Sequence, residues 1–164
     1  METIPISSVG IVDKIAELAT LQNELKNIKF FVSLHSPYDN QRSQLMPVNK
    51  KYDISTLLGA CKEYVIQTDK RVTLSYMLIN NVNDSEKHLA DLIKLIDPKY
   101  FKVQILLYNE TQTISMFRAK EDKANIFKQR LESAGVQTII RISKGQDIAG
   151  ACGQLVCNQK MATK

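Results

Sequence analysis

The feature that most constrains this 164-residue chain is an alternation: short apolar runs of strand character separated by longer segments whose apolar residues recur at helical spacing. Thr3-Ile4-Pro5-Ile6-Ser7 reads as a first extended segment, ended by the turn-forming Ser7-Ser8-Val9-Gly10. Pro5 cannot donate to a sheet ladder, so this strand belongs at an edge or carries a bulge. Ile11, Ile15, Leu18, Leu21 and Leu25 then predict an amphipathic helix ending by Asn27, and Lys29 to Leu34 predicts a second strand closed by His35-Ser36-Pro37. Tyr38 to Lys51 is polar and turn-rich and reads as a loop with one helical turn. Asp53 is placed to cap a helix whose face is Ile54, Leu57, Leu58, Cys61, Tyr64 and Val65.

The pattern repeats twice more. Arg71 to Ile79 alternates Val72, Leu74, Tyr76 and Leu78 as a third strand. Asp84 or Ser85 caps a helix carrying Leu89, Leu92, Ile93 and Ile96, with Pro98 beyond its end. Phe101 to Leu107 is a fourth strand, apolar enough to be covered on both faces. After a polar connection, Ala124, Phe127, Leu131 and Ala134 form a helix stopped by Gly135, and Val136 to Ile142 is the last strand. Strand-helix alternation of this kind predicts an α/β fold with a mostly parallel sheet and right-handed crossovers. No linker or repeat divides residues 1–164, which read as one domain.

Composition narrows the class. A hydrophobic content of 44% is enough for a real core, so a disordered chain is excluded. No apolar run approaches the roughly 20 residues of a membrane span, and the N-terminus lacks the basic start and apolar stretch of a signal peptide, so a cytoplasmic protein is expected. The formal charge of +5 suits a polyanionic partner, although the basic residues are scattered rather than blocked. Cys61, Cys152 and Cys157 show no zinc-site spacing; Cys61 falls on a helix stripe and reads as core, and Cys157 has no assigned role. His88 lies on the polar side of its helix and reads as solvated.

Ligands of parallel α/β folds bind at the carboxyl ends of the strands, where loops vary while the sheet holds them in place. The polar residues there are Ser7, then Ser33 and His35, then Asn109, on three strands that could converge on one ligand. No carboxylate pair, Ser/His/Asp order or glycine-rich phosphate loop accompanies them. His35 could act as an acid or base on its type alone, or could simply position a ligand or loop. Near the C-terminus, Asp147-Ile148-Ala149-Gly150-Ala151-Cys152-Gly153-Gln154-Leu155 sets a cysteine among small side chains, which leaves its sulfur open to a large partner. An unremarkable loop thiol satisfies the same pattern, because reactivity needs a tuned environment.

Five stretches taken together carry a resemblance. Ser33-Leu34-His35-Ser36-Pro37, Arg42-Ser43-Gln44-Leu45-Met46-Pro47-Val48-Asn49, Val82-Asn83-Asp84-Ser85, Tyr108-Asn109 and Ala151-Cys152-Gly153-Gln154-Leu155, in this order, resemble the RlmN/Cfr family of radical S-adenosylmethionine RNA methyltransferases. The resemblance runs from about Ile4 to Leu155. It implies an incomplete radical SAM (β/α) barrel lacking its first strands, and methylation of adenine at C2 or C8 in ribosomal RNA or, for some members, transfer RNA. It implies that a cysteine at the position of Cys152 carries the methyl group on its way to the base. It also implies that Ser7, Ser33, Leu34, His35 and Asn109 fall at S-adenosylmethionine-binding positions, and that the family's 4Fe-4S cluster is held by a CxxxCxxC motif.

That motif occurs nowhere in the 164 residues. The resemblance therefore implies the C-terminal part of a catalytic unit, truncated or split, inactive alone and completed by a polypeptide carrying CxxxCxxC. A non-catalytic RNA- or nucleotide-binding module that has lost the iron-sulfur half is the alternative. A small independent nucleotide-binding protein would explain the alternation but leave Cys152 and the ordered motifs unused.

Overall fold

The computed structural model describes residues 3–25, 27–109 and 116–141. Their element order is β1 (Ile4–Ser8), α1 (Val12–Leu25), β2 (Ile28–Ser33), α2 (Asp39–Leu45), a 3-10 turn (Pro47–Lys50), α3 (Ile54–Thr68), β3 (Val72–Leu78), α4 (Glu86–Leu95), β4 (Phe101–Leu107), α5 (Glu121–Ser133) and β5 (Thr138–Arg141). The five strands form one sheet in chain order, each parallel to its neighbour. The sheet is open. Pro5 sits on the edge strand β1, as its missing N–H requires.

Local chemistry sets the element ends. The Asp53 carboxylate accepts the Thr56 backbone N–H at 2.7 Å and starts α3. Ser85, rather than Asp84, starts α4 by accepting the His88 N–H at 3.3 Å. Gly135 follows α5 with φ of 83°, the left-handed conformation that ends a helix.

With chain order equal to spatial order, crossovers of one hand place every helix on the same side of the sheet. The core shows this directly. Phe30, Val32, Leu34, Val72, Leu74, Tyr76, Leu78, Phe101, Val103, Ile105 and Leu107 share one buried cluster with the inner faces of the helices. Their alternate neighbours Lys29, Phe31, Thr73, Met77, Lys102 and Ile139 stand outside that cluster, on the opposite face. The fourth strand is thus not packed alike on both sides as its composition predicts; Lys102 and Leu106 are only half-buried. Gln104 is nevertheless buried there, in the row Ser33, Ser75, Gln104 and Ile139.

Two further expectations are corrected. The α1 stripe is rotated: Ile15, Leu18, Ala19 and Gln22 are buried, while Ile11, Leu21 and Leu25 are exposed. Helix α1 packs on α3, and Gln22 turns inward because its Oε1 accepts the Tyr64 hydroxyl at 3.1 Å. The segment from Tyr38 to Lys51 holds two short helical elements, not one turn in a loop. Their driving force is polar: Arg42 and Asn49 are both buried and hydrogen-bonded to each other.

Candidate functional site

The carboxyl edge of the sheet is staggered, and the stagger builds the site. The β1–β2 ladder ends at Ser8 and Val32, and the β2–β3 ladder ends at Ser33 and Ser75. Strand β3 runs on to Leu78, beside Leu107 of β4. Beyond Ser75, β3 therefore exposes backbone groups that no β2 residue pairs, and buried groups of this kind need other partners.

His35 and Asn83 supply them. His35 takes a left-handed conformation, φ 59°, which folds its ring back so that Nδ1 accepts the Met77 N–H at 3.0 Å. The fully buried Asn83 donates through Nδ2 to the carbonyls of both His35 and Met77, each at 2.7 Å. Its Oδ1 accepts the Ile79 N–H at 2.8 Å. One asparagine thus stands in for a strand.

These bonds fix the chemistry of His35. With Nδ1 accepting from an amide, the neutral ring carries its proton on Nε2. Burial, and secondarily the Arg42 cation, push the ring down to about 4. At neutral pH the ring is uncharged and presents its proton at Nε2. Nε2 makes no hydrogen bond among the described residues, so it is available to a ligand.

Arg42 holds the neighbouring strand ends. It is fully buried on α2, and its Nη2 donates to the carbonyls of Val9 at 3.2 Å and Ser33 at 2.8 Å. Nε donates to the Leu34 carbonyl at 3.2 Å and Nη1 to Asn49 Oδ1 at 2.7 Å. Around it, the buried Ser36 hydroxyl accepts the Tyr38 N–H and donates to Gln41 Oε1 at 2.7 Å. Gln41 reaches the Val82 carbonyl and His88 Nε2. His88 is half-buried, pairs with Ser85 Oγ through Nδ1, and is pushed below its ordinary value chiefly by burial. It belongs to the loop framework and is not simply solvated.

The residues expected to meet a ligand behave differently from one another. Ser33 and His35 are brought together at the end of β2. Leu34 offers a ligand no free donor, because its side chain is buried, its N–H donates to the Ser75 carbonyl and its carbonyl accepts from Arg42. Ser7 is exposed on β1, level with Phe31 and two residues short of Ser33. Asn109 lies beyond β4, half-buried and interacting with a neighbour. At about 4.8 Å per strand, β1 and β4 lie about 14 Å apart across the sheet, so a ligand meeting Ser7, His35 and Asn109 must lie along the strand ends. Cys152, like Cys157, falls outside the described residues.

Sequence reasoning missed Arg42, Asn49 and Asn83 as parts of this site. The available signal was their place in two of the stretches that carry the resemblance, Arg42 to Asn49 and Val82 to Ser85. A second clue of the fold lies at Tyr108, whose buried hydroxyl has no hydrogen-bond partner among the described residues.

The donor set does not fit an iron-sulfur cluster. Among the described residues no group of metal-ligating side chains comes together. Cys61 is buried in the core, where desolvation pushes its thiol up to about 12 and keeps it from being a thiolate. The serine hydroxyls, the Asn109 amide and the His35 Nε2–H do fit a polar nucleoside-bearing ligand such as S-adenosylmethionine.

Comparison with known proteins follows the same lines. No family model matches the chain. A radical SAM methyltransferase crystal structure from Sphaerobacter thermophilus superposes with a TM-score of 0.85 at 38% identity, covering 92% of this chain and 43% of that one. A domain of a pyruvate-formate lyase-activating enzyme from Bacteroides vulgatus shares the fold at a TM-score of 0.62 and 16% identity, covering 85% of this chain and 81% of that one. The fold is thus an open part of a radical SAM (β/α) barrel.

The sequence relatives are more specific. A probable dual-specificity RNA methyltransferase RlmN of Clostridioides difficile is 43% identical over 154 residues, 93% of this chain and 43% of the relative. Its counterpart in a Thermoanaerobacter species is 39% identical over 152 residues, 93% of this chain and 44% of that protein. The chain belongs to the RlmN family of radical SAM RNA methyltransferases, and it spans less than half the length of these relatives.

Proposed function

We propose that this chain is the C-terminal part of an RNA adenine methyltransferase that binds S-adenosylmethionine along its strand ends and carries the methyl group on Cys152. The observation that carries this reading is the preorganised end of β2, where Ser33 and an uncharged His35 present donors while Arg42 and Asn83 occupy the surrounding backbone. Ser7, Ser33, His35 and Asn109 bind the cofactor, and Leu34, whose backbone is paired with Ser75 and Arg42, belongs to the site as the link that sets Ser33 and His35 in place. S-adenosylmethionine supplies the methyl group when bound.

What the residues of the chain contribute is orientation. A neutral Nε2–H on His35 holds a ligand acceptor without adding a second cation beside Arg42. The 4Fe-4S cluster resides on a polypeptide carrying CxxxCxxC, which this chain joins. The acceptor is C2 or C8 of an adenine in ribosomal RNA, with transfer RNA as a second substrate, and the protein works in the cytoplasm.

Co-expression under anaerobic conditions with a polypeptide carrying CxxxCxxC tests the reading. The expected result is methylated adenine in RNA that disappears with Cys152→Ala. Full methylation by the Cys152→Ala chain would overturn the role of that thiol, and no methylation with the wild-type chain would overturn the activity.

A further inference from the structure

Arg42 spends a buried cation on backbone carbonyls, which is an unusual use of charge. Burial of a guanidinium carries a desolvation cost of several kcal/mol unless hydrogen bonds replace water. Here four of the five N–H donors are engaged, three of them by the carbonyls of Val9, Ser33 and Leu34. None of these bonds goes to a carboxylate. Asp39 acts on Arg42 through its charge, but Asp39 Oδ1 is taken by the Asn49 Nδ2 and the Ile54 N–H.

The Val9 and Leu34 carbonyls lie just past the ends of the β1–β2 and β2–β3 ladders, and Ser33 is the last residue that β2 pairs with β3. Strand pairing gives out at this point. One planar fork, which only arginine provides, ties both strand ends together. The fork is in turn held from outside: Asn49 accepts from Nη1 and donates to the Asp39 carbonyl at 3.1 Å and to Ser43 Oγ at 3.0 Å. On the other side Gly10, at φ 97°, closes the turn over it, and a Cβ there would lie 3.3 Å from Nη2 and 2.9 Å from a Leu57 methyl. The next residue after the clamped Leu34 carbonyl is His35.

We propose that Arg42 is a positioning residue for ligand binding: acting through the carbonyls of Val9, Ser33 and Leu34, it sets the spacing of the β1 and β2 ends and thereby the aim of Ser33 and His35. This inference rests on the strand-end ligand site proposed above. A core role alone would be met by an apolar side chain of similar volume, without the buried charge. What the guanidinium adds is a fixed relation between two strand ends that present the donors.

The test uses the full chain, S-adenosylhomocysteine as probe in calorimetric titration, and NMR of the His35 ring. Arg42→Lys keeps the charge but loses the fork. The expected result is a folded protein with an unchanged far-ultraviolet spectrum, affinity reduced about tenfold or more, and displaced His35 ring resonances. Because the charge is retained, that displacement is not the effect of removing a cation. Asn49→Ala, which leaves Arg42 in place and removes its outer support, should weaken binding by a smaller factor, and it carries the test alone if Arg42→Lys does not fold. Equal affinity and unmoved His35 resonances in the folded variant would overturn the inference. Failure of the wild-type chain to bind the probe would instead overturn the site on which it rests.

Discussion

The helix side of the sheet and its carboxyl edge solve the same problem, burying backbone and side chains, by opposite means. On the helix side, Val32, Leu74, Tyr76, Phe101 and Ile105 interlock with helix stripes and are almost wholly removed from water. Strand pairing there satisfies the backbone, and hydrophobic burial supplies the stability. At the edge, pairing stops early on β2, and the carbonyls and amides it leaves are taken by Arg42, His35 and Asn83. The first region tolerates any well-packed apolar set; the second depends on individual donors and acceptors. The difference separates what holds the fold from what aims the site.

Three measurements break or sharpen that contrast. The largest effect belongs to the helix side: Leu74→Ala, in a central strand, should cost roughly 4 kcal/mol in urea unfolding, from lost burial plus the cavity left behind. The next belongs to the edge. Asn83→Ala leaves the Met77 and His35 carbonyls and the Ile79 amide without their partner and should cost about 3 kcal/mol. If the edge were merely packed, Asn83→Leu would restore that loss; we expect no restoration.

The smallest is a pH effect. His35 has an ordinary value of 6.5 and is lowered to about 4, first by burial and then by Arg42. Below pH 6.5 the unfolded chain takes up a proton that the folded chain refuses until about pH 4. The contribution of His35 is therefore full above pH 6.5 and declines as pH falls toward 4, by about 2 kcal/mol once its partial exposure is discounted. The stability difference between the wild type and His35→Gln, followed from pH 7 to pH 4.5, should shrink on the acid side. A constant difference would show that the ring is not held neutral.

Much of the helix side was legible in the sequence. The fourth strand spans Phe101–Leu107 as predicted, and all six residues of the expected α3 stripe, Ile54 to Val65, are buried. Periodicity succeeds there because only one phase of each pattern is apolar. In α1 two phases compete: Leu21 and Leu25 extend the apolar stripe to one side, Ile15 and Ala19 to the other. Contact with α3 chose between them, and no local rule could.

At the edge, Ser33 and His35 were legible as polar residues after a strand. What they do was not. A histidine that could have served as acid or base became a neutral donor, because the stagger between β2 and β3 left the Met77 amide for its Nδ1. Arg42 in a polar segment gave no sign that it would be among the largest fully buried side chains of the described residues.

The sequence by itself determined the order of strands and helices, the caps at Asp53 and Ser85 or its neighbour, and the placement of polar residues at strand ends. These are local matters of period, propensity and short-range hydrogen bonding. Only the tertiary structure decided which face of α1 is buried, that Arg42 reaches two strand ends, and that Asn83 substitutes for a missing strand. Each of those depends on where one strand stops relative to the next, a relation between residues distant in the chain that exists only once the sheet is assembled.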